Sequence, residues 1–290
     1  MAYTFENFVI HSYLPYVKTY KRSWDSDVSL LKVHLLPRFA ERYLDEIGRE
    51  DIQRMHIDRR MQGAAPGSAN RLLILMRYMF NLAKKWEIPG AESNPTEGIP
   101  LMAVNNMKER YLSIEEANAL YEAVCRSENR MLQFIVPMLL FTGARKREVL
   151  DAQWKDFDVD RKLWRIPLSK SGKARFVPLS DGALHVLKQV PRENHSAWVF
   201  SNPKTGLPFV TIFTSWNTAR TSVGLGDVRM HDLRHSFASL LINSGRSLYE
   251  VQKLLGHTQV QTTQRYAHLA PQTLLQASNE ATKALHFILR

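Results

Sequence analysis

One stretch of this 290-residue chain, from Asn94 to about Lys108, has neither a helical nor a strand-like hydrophobic period. Asn-Pro, Gly and Pro follow one another closely there, and these residues interrupt helices and strands alike. A chain of this length also exceeds the usual size of one hydrophobic core. The sequence therefore predicts two domains, residues 1–97 and 110–290, joined by a linker at residues 98–109.

The first domain is predicted to be entirely helical. One helical pattern ends before Pro37, a second runs from Asp51 to a turn segment at 63–67, and a third follows Asn70 and ends at a Pro-Gly pair at 89–90. The third pattern carries an apolar stripe over four turns, formed by Leu72, Leu75, Met76, Met79, Leu82, Ala83 and Trp86.

The second domain combines helices with a short hairpin. Capping boxes at 113–116 and 247–250 predict the starts of two helices. Strand-like segments at 163–168 and 175–179 flank Lys-Ser-Gly-Lys at 170–173, which predicts a β-hairpin with its turn at this tetrad. The expected fold class is mainly α with a small β-sheet (α+β).

The charge of the chain favours a polyanionic partner. Lys and Arg number 39 against 28 Asp and Glu, a net charge of +11. Residues 1–100 have 14 basic and 12 acidic side chains, and residues 101–290 have 25 and 16, so most of the excess lies in the second part. Nucleic acid and an anionic membrane surface both fit this balance. The alternative is that a modest basic excess only keeps the protein in solution.

The cysteine content and the apolar runs indicate a cellular compartment. Cys125 is the only cysteine, so an intrachain disulfide is excluded and a reducing cytoplasm fits. It follows Leu120 and Val124 in a helical pattern, which predicts a core position. The longest apolar run, 134–141, contains a proline and is too short to span a membrane. We therefore expect a cytoplasmic protein without membrane contact.

Arg145 stands in a segment whose charge is unusual for its position. Gly143 permits a tight turn into a helix, with Arg145 in its first turn. A cation near a helix N-terminus opposes the helix dipole, whereas a phosphate there would be bound by the guanidinium and the free backbone N–H groups together. The alternative is a surface arginine in a basic run.

His231 and Arg234 are three residues apart, beside an apolar stripe that includes Leu233, and therefore lie together on one helix. His231 and His235, at i and i+4, could share a metal ion. No third ligand stands at a recognisable spacing, and no catalytic glutamate accompanies them. The sequence therefore predicts neither a metal nor a cofactor.

Two further residues are weak signals when taken alone. Lys170 lies in the predicted hairpin turn, where a flexible ammonium can contact DNA or deliver a proton, or is simply solvated. Tyr266 follows a helix-ending Gly256-His257 pair by nine residues, where a surface aromatic residue is the ordinary interpretation.

Together these side chains supply what phosphoryl transfer to a tyrosine requires. The non-bridging oxygens of the phosphate need donors, and the leaving 5′ oxygen needs a proton. A phenol with a pKa near 10 needs a base or a strongly positive site. The donors are Arg145, Arg234, His231 and His257, Lys170 is the acid, Tyr266 is the nucleophile, and His231 is the better candidate for the base.

These motifs resemble the signature of the tyrosine recombinase (phage integrase) family over about residues 110–270. The matching residues are Thr142-Gly-Ala-Arg145 with Glu148, Lys170, His231 with Arg234, Leu255-Gly-His257, and Tyr266. The resemblance implies that Arg145, Lys170, His231, Arg234, His257 and Tyr266 form the active site. It further implies that Glu148 supports this site without performing chemistry.

The first domain resembles the helical, SAM-like core-binding domain of phage and genomic-island integrases more loosely. Leu36-Pro37, Phe39 and Asn94-Pro95 carry this likeness, and Ala40 stands where the family usually has glycine. Many such integrases have an additional arm-binding domain before this point. The sequence offers no room for one, so we expect either a two-domain recombinase or the loss of an upstream domain.

The resemblance also implies the partners. A C-shaped clamp would grip double-stranded DNA and form a 3′-phosphotyrosyl intermediate without ATP or metal. Four protomers would assemble on paired DNA sites, monomers or dimers would exist free in solution, and DNA-bending proteins could assist in a nucleoid-associated complex. Apolar residues at 274–289 predict a tail helix that packs on its own domain or, as the resemblance suggests, on a neighbouring protomer.

Two rival functions remain open from the sequence. A type IB topoisomerase shares the chemistry but relaxes supercoils as a monomer, and the integrase-like first domain argues against it. A DNA-binding regulator on a decayed recombinase fold is the other, and the presence of all six matched residues argues against decay. Integration, excision and resolution are not distinguished by the sequence.

Overall fold

The computed structural model describes residues 3–104, 110–167, 174–192 and 196–267. The chain divides into two compact units, Met1–Met107 and Lys108–Arg290, each with its own hydrophobic core. Lys170 and the predicted tail helix at 274–289 lie outside the described residues.

The first unit is built from helices. Its α-helices are α1 (Phe5–Phe8), α2 (Leu14–Tyr20), α3 (Trp24–Leu30), α4 (Leu36–Phe39), α5 (Arg49–Met61) and α6 (Pro66–Lys85), with π-helical turns at Val9–Tyr13 and Leu31–Leu35 and a 3₁₀ turn at Leu44–Glu46. The apolar stripe predicted for α6 packs into the core, where Leu72, Met76 and Met79 are buried.

Helix boundaries in the first unit differ from the predicted ones at two prolines. The helix expected to end before Pro37 continues to Phe39, after a π-helical turn at Leu31–Leu35. Proline lacks an N–H, and its ring collides with the carbonyl four residues back, so a wider turn before it lets the helix continue. Helix α6 starts at Pro66, before Asn70, because proline fits the first turn of a helix.

The second unit contains helices and a small sheet. Its helices are α7 (Ile114–Cys125), α8 (Leu132–Thr142), α9 (Lys146–Leu150), α10 (Asp181–Gln189), α11 (Phe213–Ser222), α12 (Asp232–Asn243), α13 (Leu248–Leu255) and α14 (Gln261–Gln264). Within the described residues, β1 (Phe157–Asp158), β2 (Leu163–Ile166) and β3 (Arg175–Pro178) form an antiparallel sheet in the order β1-β2-β3. The mainly helical class with a small sheet is confirmed.

Helix α8 lies in the middle of the second core and packs against α7, α10 and α12. Both predicted capping boxes are present: the Ser113 hydroxyl accepts from the Glu116 N–H at 3.1 Å, and the Ser247 hydroxyl accepts from the Glu250 N–H at 3.2 Å. The predicted hairpin strands pair with Trp164 opposite Val177, so both side chains enter the core.

Cys125 is exposed, so its predicted core position is wrong. It is the last residue of α7, whose buried side is formed by Leu120, Ala123 and Val124. A helical period alone does not reveal that the packed surface stops one residue earlier. Among the described residues, no helix combines the length and apolar character needed to cross a membrane.

Candidate active site

Arg145 immediately precedes α9 and is bound to the first turn of that helix. The Glu148 carboxylate accepts from the Arg145 backbone N–H and from its Nη1, both at 2.8 Å. The Glu148 side chain is 7% exposed and that of Arg145 is 27% exposed. The acidic partner offsets the unfavourable charge of Arg145 near a helix N-terminus. The guanidinium is therefore oriented and still reaches solvent.

Arg175, at the start of β3, is a second partner of Glu148 that the sequence interpretation missed. Its Nη2 donates to Glu148 Oε2 at 2.8 Å, and its Nη1 donates to the Leu254 carbonyl at 3.0 Å. Burial alone would raise the pKa of Glu148, but the charge and hydrogen bonds of Arg175, together with those of Arg145, hold it below its usual range. Arg175 thus ties the hairpin to the end of α13.

Arg234 is held inside the unit by the ends of two helices. It is 3% exposed, and its two terminal nitrogens donate to the carbonyls of Gly143 at 2.6 Å and Leu255 at 2.8 Å. A guanidinium has five N–H donors, and these bonds use two of them. Burial, then the nearby Arg145 and Arg175, lower the pKa of Arg234 to about 9, so it stays cationic at neutral pH.

Gly143 ends α8 in a left-handed conformation, with φ of 58°. A Cβ on this residue would lie 2.3 Å from the Phe237 ring and 2.8 Å from a Leu255 methyl group. Both the backbone angle and the close approach therefore require glycine. This contact sets the distance between the end of α8 and helix α12, where Arg234 lies.

His257 follows Gly256, the left-handed residue that ends α13. Its Nδ1 is 2.8 Å from the Thr263 hydroxyl. Burial, followed by the charges of Arg234, Arg145 and Arg175, lowers the pKa of His257 to about 3. The imidazole is therefore neutral at physiological pH, and one nitrogen is engaged by Thr263.

His231 lies at the start of α12, at the exposed edge of the site. Partial burial of its ring, then the charge of Arg234, lowers the pKa of His231. Its ring meets the ring of His235 edge-on, with centroids 4.9 Å apart. The predicted neighbourhood of His231 and Arg234 on one helix is present.

Tyr266 is buried, with 6% of its surface exposed, and packs against the cluster of α12 and α13 residues that includes Ala238, Ile242 and Val251. Its hydroxyl oxygen is 2.6 Å from His235 Nδ1. Burial raises the pKa of Tyr266, while Arg234 and Arg265 oppose that effect. From the sequence, His235 is a candidate only as a metal ligand, so its contact with Tyr266 is a finding of the structure.

The second unit therefore brings five of the six predicted residues into one electrostatic neighbourhood, centred on Arg234. They are Arg145, His231, Arg234, His257 and Tyr266. The sixth, Lys170, lies in the hairpin turn outside the described residues. In the described ranges, 3–104, 110–167, 174–192 and 196–267, no group of three or more His, Cys, Asp and Glu side chains is arranged to hold a metal ion.

A comparison with protein families shows the family of the chain. The sequence model of the phage integrase family matches residues 110–273, which is more than half of the chain. The chain belongs to the phage integrase family. This confirms the resemblance inferred from the motifs.

Proteins of known name that are similar to this chain include an integrase and a tyrosine recombinase. An integrase of Salmonella phage P22 is 30% identical over 251 residues, which is 82% of this chain and 62% of the phage protein, so the match covers less than two thirds of that relative. A tyrosine recombinase of Thermosipho africanus is 27% identical over 274 residues, 91% of this chain and 96% of the relative.

Solved structures share the fold. A lambda integrase dimer bound to a COC′ core site superposes with a TM-score of 0.73 at 17% identity and covers 91% of this chain and 95% of that chain. The Tn1549 transposon integrase in complex with a circular intermediate DNA gives a TM-score of 0.71 at 14% identity, covering 88% and 93%. These identities support the fold and not the details of the site.

The neutral histidines His235, which is buried, and His257, which is half-buried, give the protein an acid-sensitive stability. The pKa of His235 is lowered to about 4 by burial and then by His231 and Arg265, and that of His257 is lowered to about 3. In the unfolded chain both titrate near pH 6.5, so below that pH the unfolded state binds more protons. The contribution of these two histidines to the free energy of unfolding is therefore fully present above about pH 6.5. It falls as the pH drops towards 4, by at most about 1.4 kcal/mol per pH unit for each histidine.

Urea unfolding at several pH values between 7 and 4.5 measures this effect. The double variant His235→Asn/His257→Asn should show a shallower dependence of unfolding free energy on pH than the wild type. Carboxylates such as Glu148 act in the same direction in both proteins, so the difference isolates the histidines. Equal slopes in the two proteins would contradict the assignment.

Proposed function

We propose that the chain is a site-specific tyrosine recombinase that cleaves and rejoins DNA strands through a 3′-phosphotyrosyl intermediate at Tyr266. The observation that carries the proposal is Arg234. It is fixed by two helix-end carbonyls, lies within the electrostatic reach of Arg145 and His257, and lowers the pKa of Tyr266 against the effect of burial. Cations held beside a phenol are what attack on a phosphodiester needs.

The proposed reaction is an in-line displacement. The Tyr266 hydroxyl gives up its proton to a histidine of the site and its oxygen forms a bond to phosphorus. The bond from phosphorus to the 5′ oxygen breaks, and Lys170 gives a proton to that leaving oxygen. Arg145 and Arg234 donate to the non-bridging oxygens, with His231 and His257 as further donors. Reversal by a 5′ hydroxyl of another strand rejoins the DNA, and the phosphotyrosine conserves the bond energy.

Double-stranded DNA is the proposed substrate and partner. Two observations support it: the net charge of +11, and the DNA named with the lambda and Tn1549 integrases that share the fold. We further propose that residues 1–97 form a helical DNA-binding domain, and residues 110–290 the catalytic domain. Four protomers on paired sites, assisted by DNA-bending proteins, complete the proposal.

Covalent capture tests the function without knowledge of the target site. The purified protein is incubated with nicked duplexes of random sequence, denatured in SDS, and the DNA that remains attached to protein is sequenced. We expect recovery of duplexes that share a pair of inverted motifs, and none with Tyr266→Phe. Absence of any covalent DNA from the wild type would contradict the proposal. Relaxation of plasmids that lack the recovered motif would favour a topoisomerase instead.

Lys170→Ala should slow cleavage of a recovered duplex by about 10²–10⁴-fold, the range for loss of a general acid. A duplex with sulfur in place of the bridging 5′ oxygen needs no proton on its leaving group, so its cleavage should be restored in the variant. Lys188→Ala, on the surface helix α10, is the control and should cleave both duplexes normally. A variant that stays slow on the sulfur duplex would contradict the role of acid.

A further inference from the structure

His235 is the polar group that meets the hydroxyl of the proposed nucleophile. Its Nδ1 lies 2.6 Å from the Tyr266 oxygen, across a separation of 31 residues in sequence. In the tautomer with its proton on Nε2, the neutral imidazole accepts at Nδ1 from the phenol hydroxyl. His235 therefore already occupies the position that a proton acceptor for Tyr266 needs.

Both partners are withdrawn from water. His235 is 9% exposed and Tyr266 is 6% exposed. The phenol ring packs with Val251 and Leu255 of α13 and with residues of α12. A proton that leaves this hydroxyl has little direct access to bulk solvent, because both side chains are almost fully covered. The imidazole in hydrogen-bond contact is the group that can receive it.

We propose that His235 is the general base that takes the hydroxyl proton of Tyr266 as the tyrosine attacks the DNA phosphate. The inference rests on the proposed function, in which Tyr266 is the nucleophile. The bond from the Tyr266 oxygen to phosphorus forms, the bond from phosphorus to the 5′ oxygen breaks, and the phenol proton moves to His235 Nδ1. The leaving oxygen takes a separate proton from Lys170, so the step is balanced.

The charges around the pair act on this transfer in both directions. Arg234 and Arg265 favour the phenolate, and His235 is neutral at physiological pH and thus able to accept. His231 and Arg265 disfavour a proton on His235, while the Asp232 carboxylate favours one. A phosphate anion bound beside Arg234 adds negative charge that also stabilises the imidazolium.

This assignment differs from the one favoured by the sequence, which gave the role of base to His231. His231 lies at the exposed edge of the site and contacts the His235 ring. The hydrogen bond to the Tyr266 hydroxyl belongs to His235. His231 remains available as a donor to the phosphate.

The test measures single-turnover cleavage of a captured duplex and combines two changes. His235→Asn should slow cleavage by about 10²–10⁴-fold, as for a lost general base. Difluorotyrosine placed at position 266 ionises more readily and needs less help from a base, so it should restore much of the rate in His235→Asn. His231→Asn should not be restored in this way. His185→Asn, on the exposed side of α10, is the control and should cleave like the wild type.

Triazolylalanine at position 235 covers the case in which His235→Asn does not fold, because it keeps the shape of the ring and lowers its basicity. Slower cleavage that difluorotyrosine restores is the expected result. Normal cleavage with triazolylalanine, or restoration by difluorotyrosine in His231→Asn alone, would overturn the inference while leaving the proposed function intact. Failure of the wild type to form any adduct would instead count against the proposed function.

Discussion

Tyr266→Phe should abolish covalent attachment to DNA while leaving DNA affinity nearly unchanged. The substitution removes the nucleophilic oxygen and keeps the ring, which packs beside Ala238, Ile242 and Val251. The surfaces that bind DNA stay intact, so a gel shift with a captured duplex should match that of the wild type. Denaturing electrophoresis with a nicked duplex should show no retained adduct.

Tyr266→Phe should also lower the free energy of unfolding, which tests the hydrogen bond between Tyr266 and His235. Without the phenol hydroxyl, the buried His235 Nδ1 loses its partner, and an unsatisfied buried polar atom costs about 1–3 kcal/mol. Tyr249→Phe, on the exposed side of α13, is the matched control and should retain both attachment and stability. An adduct that persists in Tyr266→Phe would remove Tyr266 from its role.

Arg234→Lys should lower the rate of cleavage by about 10²–10³-fold, the loss expected when one oriented donor to a transition state is removed. Arg234 binds the carbonyls of Gly143 and Leu255 at once. A lysine ammonium is a single point with three donors and cannot span both carbonyls and a phosphate oxygen. Because lysine keeps the positive charge, the lower cleavage rate would measure the effect of losing the arrangement of guanidinium donors.

The control for this experiment is Arg147→Lys on helix α9. Arg147 is a half-exposed arginine that binds Asp151 and the Phe209 carbonyl, away from Tyr266. It should cleave at nearly the wild-type rate. Single-turnover rates under saturating protein separate cleavage from binding. Cleavage by Arg234→Lys at the wild-type rate would mean that the positive charge alone suffices.

Local signals in the sequence predicted local structure well. The capping boxes at Ser113 and Ser247 each start a helix where expected, because a cap depends on residues three positions apart. The hairpin strands were also predicted, because the two segments flank the turn tetrad at 170–173. The motif residues Arg145 and Arg234 lie within electrostatic reach of each other because Gly143, two residues before Arg145, has no Cβ and lets the end of α8 approach α12 closely.

Contacts that depend on distant segments could not be read in the same way. Arg175 is two residues before Val177 in β3, so its side chain faces the interior of the unit. A buried arginine is favourable there only because Glu148 and the Leu254 carbonyl accept its hydrogen bonds. His235 stands one turn after His231, and its partner Tyr266 lies 31 residues further along the chain, after the end of α14. The signals in the sequence were an arginine at an inward-facing strand position, Arg175, and a second histidine one turn after His231, His235.

The identity of the residue attached to DNA tests the account most directly. The wild-type protein is trapped on a nicked captured duplex, the complex is digested with a protease and a nuclease, and the nucleotide-bearing peptide is sequenced by mass spectrometry. We expect a 3′-phosphate ester on Tyr266 and on no other tyrosine. Attachment through a different residue, or through a 5′-phosphate, would contradict it.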